Sequence, residues 1–409
     1  MRAEPTTLEL AMRLAGTTIL GLLVSAVPAA AQLSVEARLG GAHDAIGHGD
    51  FDPEGQLSAA GAFRTEYGFA DGRAQLAYSL DAATYAGPGD WSTLLHDLVG
   101  LYRIDLSGSG NARFLLAAEA VRRDNGDAWS AAGYRALGGH ATFEVKPAEV
   151  ASLRLGYRID GRDFPDAPEL NQLEHDGFLS GRLNLPTRTT LIGEVRVGTK
   201  SYSGEIIPVE GSPTTAPSSS GRGQGRSGMR PSFRPADVAW VQDSDRAARV
   251  AWLVRVAQSL TNRTGLSFQY AGRHASGEVP PALVTTPLHF QDDGVYDDPY
   301  ASDAQALGAT LKQVFVGKGV ARGWVEWRRK DYRANLALDE TGAPLPDGAL
   351  RQDRALRVGA DWSLPLFPSR TGSLALDLDL AYVLVRQQSN DAFYDYTSHA
   401  FWLAFSIAY

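Results

Sequence analysis

Ser398-His399-Ala400-Phe401-Trp402-Leu403-Ala404-Phe405-Ser406-Ile407-Ala408-Tyr409 decides how the chain is read. Phe401, Leu403, Phe405, Ile407 and Tyr409 alternate with Trp402, Ala404, Ser406 and Ala408. Successive side chains of a β-strand point to opposite faces, so this period of two predicts a strand with one large apolar face. The other face is small and weakly polar. Chain ends are ordinarily frayed and polar, and an apolar strand running to an aromatic last residue is unusual in a soluble fold. The competing reading is the final strand of a soluble sandwich, and the rest of the chain discriminates between them.

Working back from this stretch, the alternation recurs almost everywhere. Leu374, Leu376, Leu378, Leu380, Tyr382 and Leu384 oppose Ala375, Asp377, Asp379 and Ala381. Leu356, Val358, Ala360, Trp362 and Leu364 oppose Arg357, Gly359, Asp361 and Ser363. Leu153, Leu155, Tyr157 and Ile159 oppose Arg154, Gly156, Arg158 and Asp160, and Val250, Trp252, Val254 and Val256 oppose Arg249, Ala251, Leu253 and Arg255. With weaker copies between them, about sixteen strands are predicted, an even number as in bacterial barrels.

The connections sort by parity. One set is short: 70–72, 107–110, 147–149, 186–188, 261–262, 317–319 and 368–372. The other is mostly long: 41–54, 86–92, 163–171, 205–242, 279–302 and 335–351, with 125–128 and 390–394 as its short members. A Greek-key sandwich has no reason to sort its loops this way, whereas a membrane barrel has short turns on one rim and long loops on the other. In hydrocarbon every backbone N–H and C=O needs a partner, so a sheet that spans it must close on itself. The lipid-facing side chains must be apolar, and charge is tolerated on the other face only if the interior is wet or cross-paired.

The terminal stretch resembles the C-terminal signal strand of Gram-negative outer-membrane β-barrel proteins. The resemblance covers the remaining strands as pattern only, and no particular porin family is matched. It implies an all-β fold: a closed antiparallel transmembrane β-barrel with short periplasmic turns and long extracellular loops. It also implies outer-membrane localisation, contact with membrane lipid and lipopolysaccharide, and recognition of Phe401, Leu403, Phe405, Ile407 and Tyr409 by the barrel assembly machinery.

Composition agrees with this. The 409 residues include 43 Gly and no Cys, carry a formal charge of −8, and are 44% hydrophobic. Without cysteine there is no disulfide framework, thiolate chemistry or Cys-ligated zinc. An acidic chain without a basic cluster argues against a nucleic-acid partner. Arg13, the apolar run Leu14 to Val27 and the small residues Ala29, Ala30 and Ala31 predict a signal peptide over 1–31, cleaved before Gln32. Met12-Arg13 is a more usual start than Met1, because Glu4 and Glu9 sit awkwardly in the charged region before the apolar run. The barrel domain is then 32–409, and no later segment approaches the ~20 consecutive apolar residues of a membrane helix.

The charged face is the main functional signal. By parity it carries Arg154, Arg158, Arg182, Arg196, Arg255 and Arg328, with Asp160, Glu194, Asp377 and Asp379. Arg162, Arg249, Arg322, Arg357, Asp105, Glu119, Glu144, Glu326 and Asp361 fall on it too. These are the pore-lining candidates. One reading is a water-filled channel for small polar or anionic solutes, with the wall from Arg154 to Arg196 attracting anions. The alternative is cross-strand ion pairs that brace a non-conducting barrel of structural, adhesion or assembly-partner type.

Other signals are weaker. Asp292, Asp293, Asp297, Asp298 and Asp303 form an acidic loop without EF-hand spacing, which reads as solvated loop rather than a metal site. The glycine-rich Gly223-Gln224-Gly225-Arg226-Ser227-Gly228 follows no predicted strand and opens no predicted helix, so it reads as a surface loop rather than a dinucleotide site. Ser92 with His96, or His175 with Asp176, would suit a lipase- or protease-type barrel enzyme, but neither has an evident third partner. Tyr67, Phe69, Tyr85, Trp91, Tyr332 and Tyr409 near strand ends read as interfacial aromatics. No cofactor and no metal is expected, and the chain reads as a non-enzyme.

Overall fold

The computed structural model describes residues 31–46, 56–69, 73–85, 92–108, 110–126, 133–166, 168, 171–202, 246–277, 298–316, 319–367 and 375–408. Residues 1–30, the Gly-rich 223–228 segment, Asp292, Asp293, Asp297, Trp91 and Tyr409 lie outside them.

The strands are β1 (Ala31–Ile46), β2 (Gln56–Phe69), β3 (Ala74–Tyr85), β4 (Thr93–Asp105), β5 (Ala112–Asn125), β6 (Tyr134–Ala148), β7 (Ala151–Asp163) and β8 (Gln172–Asn184). They continue as β9 (Thr189–Tyr202), β10 (Ala247–Ser259), β11 (Thr264–Ser276), β12 (Ser302–Val314), β13 (Val320–Leu336), β14 (Leu350–Phe367), β15 (Ala375–Ser389) and β16 (Tyr396–Ala408). One 3-10 turn, Ala392–Tyr394, precedes β16. Each strand pairs antiparallel with its neighbours in sequence, and β1 pairs with β16 as well as β2 (Ser34↔Ala408 through Ile46↔Tyr396), so the order returns to its start. β1 runs on to Ile46, so the first long connection begins later than its polar composition suggests.

Short turns lie at one end and longer connections at the other. At the short-turn end, Gly110 closes the β4–β5 turn with a positive φ of 69°, a conformation that glycine adopts without the Cβ clash of other residues, and its N–H donates to Ser107 O at 3.0 Å.

The two faces differ as the alternation predicts. Leu137, Leu155, Leu179, Val197, Phe268 and Leu307 point outward and are exposed, Leu137 by 71%. In β16, Phe401, Phe405 and Ile407 are exposed whereas Ala404 is 2% exposed and turns inward. The inner face carries the charges. Close approaches on it are made at glycine: a Cβ at Gly156 would overlap the Phe178 ring across the β7–β8 pair, and one at Gly359 the Trp324 ring across β13–β14. Glycine in a strand lets a large neighbour lie across the backbone.

Candidate functional site

The inner wall brings the sequence-predicted charges together, and register decides which of them are neutralised. Arg113 on β5, Glu144 on β6 and Arg154 on β7 stand opposite one another. Glu144 accepts from Arg113 at 2.8 Å and from Arg154 at 3.0 Å. Asp160 lies between Arg158 and Arg162, both at 3.2 Å, and Glu119 approaches Arg158 at 3.7 Å. Arg196 bonds Glu194 at 2.5 Å and reaches Asp176 at 3.8 Å. Many of these pairs are two residues apart on one strand, where side chains share a face. Arg154, Arg158, Arg162 and Arg196 of this wall are therefore braced by carboxylates rather than left as isolated cations.

Cations without a carboxylate partner occur lower on the same wall and on the arc beyond it. Arg182 donates to Asn184 at 3.0 Å and Arg255 to Gln269 at 2.7 Å, both neutral amides. Arg182 and Arg255 both pair in register with Ile192 of β9, so the two lie two strands apart in one row. Arg328 stands between Ala306 and Ala355 on β13. None of the three has a carboxylate partner among the described residues. Farther round, Asp379 accepts from Ser406 at 3.3 Å, and Asp377 lies next along the same face of β15. Arg322 and Asp361 pair at 3.1 Å, between β13 and β14.

Sequence reasoning missed the most buried part of the site. The residues just before β12 fold inward at the long-loop end. Asp298, expected to be a solvated loop acid, is 7% exposed. It accepts from Lys200 Nζ at 2.7 Å, from the Tyr202 hydroxyl, and from the Tyr300 N–H at 2.9 Å. Burial pushes the Asp298 carboxyl up, but the Lys200 charge and the hydrogen bonds from Lys200 and Tyr202 outweigh it and hold the group below its ordinary value of 3.8.

Tyr300 is fully buried. Its hydroxyl donates to Glu174 at 3.0 Å, and the Arg249 guanidinium lies 4.6 Å from its ring centre. Arg249 in turn bonds Glu174 at 2.9 Å and Asp176 at 3.0 Å. Burial, followed by the nearby Glu174 charge, raises the Tyr300 phenol well above its usual range. Room for that hydroxyl exists because residue 198 is glycine: a Cβ there would collide with it. Arg273 then fixes the start of β12 through Ser302 O at 3.1 Å and Oγ at 2.7 Å. Parity on β8 and β9 would have placed Glu174, Asp176 and Lys200 on the inner face; nothing periodic marks Asp298 or Tyr300.

A second lock lies beside it. Arg351 bonds Asp353 at 3.0 and 2.5 Å, with the Tyr332 ring centre 4.3 Å and the Tyr394 ring centre 3.0 Å from its guanidinium carbon. Ser389 adds a 2.8 Å bond to Asp353. Tyr332, expected among interfacial aromatics, is instead buried on the inner face. Buried, hydrogen-bonded polar networks of this kind rigidify the segments they join.

The His175–Asp176 pair is not assembled. His175 and Asp176 are successive residues of one strand and point to opposite faces: Asp176 inward to Arg249, His175 outward. The His175 Nδ1 is hydrogen-bonded to the Tyr157 hydroxyl at 2.5 Å, and the His96 Nδ1 to that of Tyr78 at 2.8 Å. A third outward pair, Tyr382 with His399 at 2.7 Å, repeats the geometry. Three occurrences of one cross-strand diagonal contact point to packing.

No family model matches the chain, and no curated protein matches it. Among solved structures it is similar to OccAB1 of Acinetobacter baumannii, with 10% identity and a TM-score of 0.52 over 92% of this chain and 96% of that one. The outer membrane protein OpdK of Pseudomonas aeruginosa aligns at 10% identity and a TM-score of 0.47 over 93% and 99% of the two chains. OccK10 of Pseudomonas aeruginosa gives 10% identity and 0.47 over 92% and 99%. At these identities only the path of the backbone is comparable, and of these three OccAB1 is near enough to carry the comparison: this chain shares with it an all-β fold of antiparallel strands.

Proposed function

We propose that the chain is a closed, sixteen-strand transmembrane barrel of a Gram-negative outer membrane, and that it passes small polar or anionic solutes. One observation carries the proposal: large apolar side chains stand exposed along the outer face of strand after strand, while the inner face is charged. Moving one such side chain from water into an apolar medium is favourable by roughly 1.5–3 kcal/mol. A whole face of them left in water would forfeit far more than the 5–15 kcal/mol by which a typical domain is stable. Hydrocarbon around the sheet removes that problem. The long connections then face outside, the short turns face the periplasm, and Phe401, Leu403, Phe405 and Ile407 form the strand that the assembly machinery reads.

Anion preference is assigned to Arg182, Arg255 and Arg328, whose charge is not balanced by a carboxylate among the described residues, rather than to the ion-paired Arg154, Arg158 and Arg196. With Asp377 and Asp379 on β15, these cations would set a transverse field across the passage. The reading is tested by reconstituting the purified, folded chain in a planar bilayer. Discrete channels with a reversal potential favouring anions are expected, and a folded protein that seals the membrane without conducting would overturn it.

A second reading is a non-conducting barrel, favoured by the buried Asp298–Lys200 and Arg351–Asp353 locks at the long-loop end. The same recording separates the two.

A further inference from the structure

On the outer face of β10 to β15, polarity changes from one row of cross-strand neighbours to the next. Val256, Phe268, Ala309, Val325, Val358 and Leu384 form one row, wholly apolar. The next row toward the long-loop end is Val254, Tyr270, Leu307, Trp327, Leu356 and Arg386. Above it run Trp252, Gly272, Gln305, Arg329, Arg354 and Gln388. Polar groups thus begin abruptly above a hydrophobic band.

Two features of that upper row need a partner. First, Arg329 and Arg354 are directly opposite one another, an arrangement of like charges that destabilises a sheet when nothing lies between them. Asp331 neutralises Arg329 at 3.0 Å. Arg354 has no carboxylate partner among the described residues, nor has Arg386, which sits on the diagonal from it, where neighbours lie about 7–8 Å apart and their Cβ atoms somewhat closer. Second, a cavity of about 170 Å³ opens beside them, lined by Trp252, Asp303, Gln305, Arg329 and Asp331, among others. The Trp252 ring lies across Gly272, where a Cβ would overlap it, so its plane is set against the sheet. Asp303 is held there by His274 at 3.1 Å and by the Ala275 N–H at 2.9 Å.

We propose that this outer surface binds the phosphorylated saccharide headgroup of an outer-leaflet glycolipid. A phosphate bridges Arg354 and Arg386, and a sugar ring occupies the adjoining cavity against Trp252, its hydroxyls meeting Gln305, Asp303 and Asp331. A phosphate is the anion that relieves paired guanidinium groups, since each guanidinium offers it a fork of donors. An aromatic ring rimmed by an amide and carboxylates suits a sugar better than an acyl chain. The acyl chains then continue over the apolar rows below. The assignment rests on the outer-membrane reading above, which puts the long-loop end in the saccharide-bearing leaflet.

The test uses the full-length folded protein in dodecyl maltoside, with bound lipid counted by native mass spectrometry. Lipopolysaccharide and phosphatidylglycerol are the probes, and heat-modifiable gel mobility verifies folding of each variant. Arg354→Gln and Arg386→Gln are each expected to weaken lipopolysaccharide retention by about tenfold or more, the scale of one hydrogen-bonded charge. Trp252→Leu should weaken lipopolysaccharide while leaving phosphatidylglycerol unchanged. Arg122→Gln is the charge-matched control on the outer face, already chelated by Asp124 at 2.9 Å, and should change nothing. Equal lipopolysaccharide retention in wild type and all variants overturns the site, and phosphatidylglycerol held as tightly as lipopolysaccharide overturns the saccharide assignment. A wild type that neither shifts on heating nor enters vesicles would instead sink the barrel reading itself.

Discussion

Replacing Asp298 by Asn unfastens the inward fold at the long-loop end. The carboxylate accepts three hydrogen bonds and neutralises Lys200, a side chain only 2% exposed. Removing one member of a buried ion pair, and so leaving the other charged and unpaired, costs about 3–5 kcal/mol. That energy falls on the local latched state rather than on the sheet, whose strands keep their hydrogen bonds. It lowers the ratio of latched to unlatched molecules by about two to three and a half powers of ten. The assay is single-channel recording at neutral pH. Asp298→Asn should raise unitary conductance, or replace one level by flicker between two, and Lys200→Met should do the same. Because both substitutions break one pair, the double variant should be milder than the sum, with a coupling of about 1–3 kcal/mol. Conductance and open-channel noise identical to wild type in all three would show that the 298–301 segment does not constrict the passage. pH offers an independent check. A carboxyl held below its ordinary value stabilises the latch above that value and loses this contribution only as pH falls through the depressed one, so conductance should stay flat from neutrality down to about the unperturbed 3.8.

Further outcomes can be measured. Arg255→Glu and Arg182→Glu should each move the reversal potential toward cation selectivity, and the Arg154→Gln change should move it less, because Glu144 keeps its 2.8 Å bond to Arg113. Gly198→Ala should reproduce the Asp298→Asn recording, since the added methyl takes the space of the Tyr300 hydroxyl. Leu155→Arg, at an exposed outward position, should destabilise folding into lipid by about 2–4 kcal/mol if it lies near the bilayer midplane, read from denaturant titrations in vesicles.

The alternation of Leu153, Leu155, Tyr157 and Ile159 with Arg154, Arg158 and Asp160 is a property of one strand. It therefore determined, from sequence by itself, which face is apolar and which is charged, and the parity of connection lengths determined antiparallel order. Such signals are local, because the backbone pleat fixes side-chain direction within a few residues. Pairs such as Arg158 with Asp160 lie two residues apart on one strand, but only the tertiary structure decided which charges meet across strands. Glu144 meets Arg113 and Arg154 through the register of three strands, and no window of sequence contains that register. The same holds for Asp298 and Tyr300, whose partners Lys200 and Glu174 lie on strands far away in the chain, and for Arg354, whose neighbour Arg329 is set by how β13 and β14 slide past one another. A strand's own periodicity is written in covalent order, whereas the meeting of charges across strands depends on how each strand is staggered against the next.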